Sequence, residues 1–165
     1  MGDLGRYFDL SEFTRSATAR RHGIDNTPPP QTVVSLRALV ERVLDPLREE
    51  LGPVRITSGY RAPEVNRTIG GSTTSQHCSG EAADLTLVVE HDAQRVADLL
   101  YELRAPVDQV IWYAPEVGGH VHVSHRRDGH QRGQYLHCWR DVATGEKRYR
   151  THRPSVPSQS SPVVA

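Results

Sequence analysis

The chain has 165 residues, 36% of them hydrophobic and 24% charged, enough to bury one compact core and too apolar for wholesale disorder. Twenty basic residues against twenty acidic ones leave no formal net charge, which excludes a general nucleic-acid binder, because neutralising phosphates needs a basic surplus. Two cysteines, Cys78 and Cys138, are too few for a disulfide framework, a single bridge between them staying open, and no run of 18 apolar residues offers a membrane span.

In chain order, Asp9-Leu-Ser-Glu12 reads as a capping box that opens a short helix, broken near Ser16 and resuming to a stop at His22-Gly23. Three successive prolines make Asn26 to Pro30 a loop. Val33 to Glu50 is the clearest helix, with apolar residues at 33, 36, 40, 43, 44 and 47 on one face and a kink or new turn at Pro46. Val54 to Ser58 alternates as a strand, Ala62 to Ile69 is a helical turn, and Thr73 to Gly80 is a polar loop. Asp84 leads into a strand over 85–89, and 92–103 is a second amphipathic helix. Val107 to Tyr113 and His120 to Ser124 are strands joined by the turn Pro115 to Gly119, and a last hairpin spans Tyr135 to Tyr149. The aperiodic Ser/Pro/Val stretch 154–165 reads as a disordered tail, leaving 1–153 as one α+β domain with a central, mainly antiparallel sheet flanked by helices. The basic residues of the last third, Arg126 and Arg132 among them, read as a solvated face, and His125, His130 and His137 as surface residues.

Two segments carry chemistry. In Ser75-Gln-His77-Cys-Ser-Gly80-Glu-Ala-Ala-Asp84 an imidazole and a carboxylate flank a glycine at which the backbone can reverse, so both can point at one centre. A carboxylate at the mouth of an apolar strand needs a partner. In His120-Val-His122-Val-Ser124 the two imidazoles share one strand face and the valines turn to the core. Two histidines with one aspartate leave the fourth position of a tetrahedral zinc ion open, the catalytic rather than the structural arrangement. Glu116 in the preceding turn could act as base, and Arg61 follows a strand end, where binding residues often sit. Each segment alone would equally suit solvent-facing histidines and a turn-capping aspartate.

Together, Ser58-Gly-Tyr-Arg61, Ser75-x-His77-x-x-Gly80-x-Ala82-x-Asp84 and His120-x-His122 resemble the zinc D-alanyl-D-alanine peptidase superfamily, which includes the hedgehog signalling domain. Ser11-Glu-Phe13, Ile24-Asp-Asn-Thr-Pro28 and Asp108-Gln-Val-Ile111 are similar to the phage-type and bacterial murein peptidases within it, over roughly residues 8 to 125. The resemblance implies zinc ligands His77, Asp84 and His122, with His120 beside the metal without ligating it. It makes Arg61 and Ser75 substrate-facing and Glu116 the general base, because the hedgehog domain also has a glutamate six residues before its last zinc histidine. Several D,D-peptidases carry that base three residues before the histidine, where this chain has Gly119, and many relatives have tryptophan in place of His120. The implied activity is zinc-dependent amide hydrolysis in peptidoglycan stem peptides, by a D-Ala-D-Ala carboxypeptidase or a murein endopeptidase working as a monomer. The alternative is a non-catalytic zinc-binding domain of the same fold. With no signal-peptide core in Met1 to Leu10, the expected route is synthesis in a cytoplasm and delivery to the wall as a phage lysis or virion protein, or by another export path.

Overall fold

Capping chemistry sets the N-terminal elements of the computed structural model, which describes residues 2–88 and 93–154. Helix α1 (Leu10–Thr14) begins at the expected box, Glu12 Oε1 accepting from the Asp9 N–H at 2.9 Å. Helix α2 (Ala17–His22) starts where Ser16 Oγ accepts from the Ala19 N–H and ends on Gly23 in the left-handed region.

The long helix starts earlier than its periodicity suggests. Pro30 lies inside it rather than in the loop, because a proline in the first turn removes no hydrogen bond. Helix α3 (Pro30–Leu39) runs into one π turn (Val40–Leu44) and then helix α4 (Asp45–Leu51). Pro46 accounts for the change of pitch: it has no N–H, and its ring would strike the carbonyl four residues back, so the preceding turn widens and Asp45 N–H donates to Val40 O. The apolar stripe survives, with Leu36, Leu39, Val40, Val43, Leu44 and Leu47 fully buried.

Six strands form one sheet in the order β1-β2-β4-β3-β5-β6: β1 (Val54–Ser58), β2 (Ala82–Leu87), β3 (Gln109–Tyr113), β4 (Val121–Ser124), β5 (Gln134–Arg140) and β6 (Lys147–Thr151). Every neighbouring pair is antiparallel except β3 and β5, so the expected α+β class with a mainly antiparallel sheet holds. Helix α5 (Pro63–Thr68) follows β1, and helix α6 (Ala93–Glu102) lies against β3, β4 and α4. The expected element ends at Val89 and Asp92, and the expected tail beyond Pro154, lie outside the described residues.

The two-residue period sorts the sheet into two faces. Ala83, Leu85, Val110, Trp112, Val121 and Val123 are buried in the core, while Asp84, His122, Gln109, Ile111 and Tyr113 line a cleft on the other face. Two of the surface assignments are corrected. His125 is buried, its Nδ1–H donating to Pro106 O at 2.6 Å, and His137 is buried with its ring stacked on Trp112 at 3.6 Å between centroids. His125 directly follows β4 and His137 lies inside β5, so strand geometry turns both inward. Cys78 and Cys138 are free thiols, so the possible bridge is absent.

Candidate metal centre

Three separate elements bring the ligands together. His77 sits in a short 3₁₀ helix (Gln76–Ser79) that Gly80 ends at φ 71°. A side chain at Gly80 would be strained there, and its Cβ would come within 2.6 Å of Thr32 O. Asp84 and His122 are direct cross-strand partners in the β2–β4 register. Pairing of β2 with β4 therefore brings two of the three ligands together.

The orientation of each group follows from its neighbours. His77 is buried, and its Nδ1–H donates to Gly59 O at 2.7 Å, which leaves Nε2 as the free donor atom. That Nε2 lies 3.3 Å from Asp84 Oδ1, and His122 Nδ1 lies 3.0 Å from the same oxygen. Arg61 Nη2 donates to the other oxygen, Asp84 Oδ2, at 2.6 Å, while its Nε donates to Ser58 Oγ at 2.9 Å. Burial alone would raise the Asp84 pKa. Hydrogen bonds and charge from His122 and His77 outweigh burial and hold the carboxyl well below its usual range.

Among the described residues, His77, Asp84 and His122 offer ligand atoms that all lie within 4.8 Å of one another. Two imidazole nitrogens and one carboxylate oxygen are the donor set of a zinc ion with a position left open. The Gly59 carbonyl and Arg61 supply the outer hydrogen bonds that orient such ligands. The residues present fit zinc on both counts.

The cluster lies in a polar cleft of about 760 Å³, within the size range of small-ligand sites. Arg61, Ser75 and His120 line it. His120 is half-buried and stacks on Tyr113, with ring centroids 4.1 Å apart and planes 13° from parallel. Lys147 Nζ lies 5.8 Å from the Tyr113 ring. Burial lowers the His120 pKa, Lys147 and His122 adding to the effect and Asp84 opposing it.

Glu116 is not among the residues lining the cleft. It stands in a 3₁₀ turn (Pro115–Val117), and its Oε1 accepts from the Arg140 N–H at 3.4 Å. Arg140 ends β5, which pairs with β3 on the side away from the histidine strand, so the turn sends this carboxylate across the sheet. Three further residues line the cleft without a site role in the sequence reading: Gln76, Tyr113, read as a core or rim aromatic, and Arg132, read as part of a solvated basic face. Gln76 and Tyr113 lie inside or beside quoted motifs, whereas Arg132 was hidden in a basic stretch.

An α+β sheet that gathers two histidines and an aspartate at the floor of an open polar cleft defines a metallohydrolase frame. The Peptidase M15 family matches residues 6–124, a span that holds all three ligands together with Arg61, Ser75, Glu116 and His120. The chain belongs to this family of zinc metallopeptidases. Among curated proteins no match is found. Strands β5 and β6 and the segment before them lie beyond the matched span.

Proposed function

We propose that the protein hydrolyses an amide bond in peptidoglycan stem peptides, as a D-Ala-D-Ala carboxypeptidase or a murein endopeptidase. The supporting observation is the convergence of His77 Nε2, Asp84 Oδ1 and His122 Nδ1 in an open polar cleft. Zinc bound by these three atoms supplies Lewis acidity to a carbonyl and to a water, which makes a nucleophile available near neutral pH.

The remaining chemistry belongs to the side chains. His120, in the cleft and held flat against Tyr113, has a ring nitrogen that can take a proton from the attacking water and return it to the leaving amine. This role suits His120 better than Glu116, whose carboxylate is turned toward Arg140. Arg61 keeps Asp84 oriented through Oδ2 and faces the substrate's carbonyl or carboxylate from the same wall, with Ser75 adding a hydroxyl nearby. A substrate of this kind places the site of action at the cell wall.

Purified protein is expected to carry about one zinc per chain and to shorten murein peptides. Mass spectrometry of a murein digest names the bond. Zinc retained with no cleavage of any murein peptide would overturn the enzyme reading and leave a zinc-binding domain.

A further inference from the structure

The segment 125–133, between β4 and β5, lies past the family match and is fastened along its whole length. His125 N–H donates to Glu81 O at 2.9 Å, and Arg127 N–H to Glu81 Oε1 at 2.9 Å. Arg126 N–H donates to Gln131 Oε1, and Gln131 Nε2 donates back to Arg126 O. Arg132 N–H donates to Asp108 Oδ1, and Gly133 N–H to Val107 O. These contacts set the side chains of Arg126 and Arg132 on one wall of the cleft that holds the metal ligands.

Arg132 is gripped by a group with no contact to solvent. Asp108 is fully buried, and its two oxygens accept from Arg132 Nε at 3.1 and 3.0 Å and from Nη2 at 2.6 Å. Gln76, next to the ligand His77, donates to the same carboxylate at 3.1 Å. Yet half of the Arg132 side chain surface is exposed, and its Nη1 donates no hydrogen bond to the described residues. A solvated arginine needs no buried carboxylate to hold it. A guanidinium fixed along one edge, with N–H groups left over in a cleft, is a preorganised fork for a planar anion. Arg126 lines the same cleft, its side chain paired with Asp128 in an exposed contact that holds it weakly.

We propose that Arg132, with Arg126 lining the same cleft, is a carboxylate-binding subsite that takes a free carboxylate of the peptide substrate away from the bond that is cut. The peptide nature of the ligand rests on the hydrolase reading above. The anchoring by Asp108 gives Arg132 the dominant share, because a fork already ordered loses little freedom on binding. A peptide's C-terminus and a side branch are the two sources of such a carboxylate, and both present the same planar group.

Three stem peptides distinguish them: one with all carboxylates free, one amidated at the C-terminus and one amidated on the branch. Apparent affinity for the zinc-loaded full chain is measured for each, as KM where the peptide is cut and as Kd where it is not. Amidation of one position is expected to weaken the parent by roughly 10–100-fold, the range of a charge-assisted hydrogen bond. The position that responds names the source. Arg132→Lys should shrink that penalty to below about threefold, and Arg126→Gln should reduce it partially, with zinc content unchanged. Arg126→Gln leaves the Asp108–Arg132 pair untouched, and its unchanged zinc content checks that the fold is kept. Equal affinity for acid and amide in the parent overturns the subsite, as does a preference unchanged in both variants. Carboxylate preference without cleavage keeps the subsite and removes the hydrolase reading, whereas cleavage without preference does the reverse.

Discussion

Asp84 is the residue on which the centre turns, since one of its oxygens faces both imidazoles and the other is held by Arg61. Arg61→Ala should therefore weaken zinc binding by about 10–100-fold, the usual cost of losing an outer hydrogen bond to a ligand. Competition with a chelator of known affinity measures this, and unchanged affinity would show that Oδ2 needs no partner. His120 and Glu116 separate by position. His120→Ala should keep zinc and lose about 10²–10⁴ in kcat, the range of general acid–base catalysis, whereas Glu116→Gln should stay near the parent rate. A kcat loss confined to the Glu116 variant would return the base to the turn. Much of this site is legible in the motif itself, because His77, Gly80 and Asp84 have a fixed spacing that one turn and one strand can satisfy. The carboxylate of Glu116 is not legible, since the direction of a side chain in a three-residue turn depends on which strand lies beside it.

At the scale of elements, the β2–β4 pairing carries the centre and the α3–α4 helix carries the core. Leu36, fully buried on α3, should cost about 2–5 kcal/mol when cut to alanine, read as a lowered urea midpoint with little change in slope. A loss below 0.5 kcal/mol would mean that the helix does not anchor the domain. The 3.6-residue stripe exposes this helix in the sequence, but its π turn follows from Pro46 meeting a helix that tertiary packing keeps continuous. Strand alternation likewise tells which valines face inward, while the order of strands in the sheet comes from pairings between distant segments.

For the whole molecule, zinc and protonation are the two levers on stability. An ion that binds only the folded chain adds about 4 kcal/mol at a thousandfold excess over its Kd, so a chelator should lower Tm and added zinc restore it. No change in Tm would argue against a metal bound by the native fold. Asp108 sets an acid limit. Burial would raise its pKa, but the hydrogen bonds and charge of Arg132 outweigh burial and hold it below the ordinary value. Its contribution is thus fully present above about pH 4, the unfolded aspartate value, and is lost as pH falls through the lower folded value. Denaturant melts from pH 7 to 2 should show this decline, and Asp108→Asn should be less stable near neutrality and flatter below pH 4. An unchanged acid profile in that variant would place the acid limit elsewhere.

Local chemistry written into the sequence determined the capping box at Asp9, the helix stop at Gly23, the inward valines of β4 and the ligand motif from His77 to Asp84. Each depends on residues within one turn or one strand, where spacing and backbone preference suffice. Tertiary structure alone decided that His122 stands opposite Asp84, that Glu116 turns toward β5, and that a buried Asp108 converts Arg132 from a surface charge into an oriented one. Those outcomes depend on register and burial between segments far apart in the chain, which no local pattern of residues encodes.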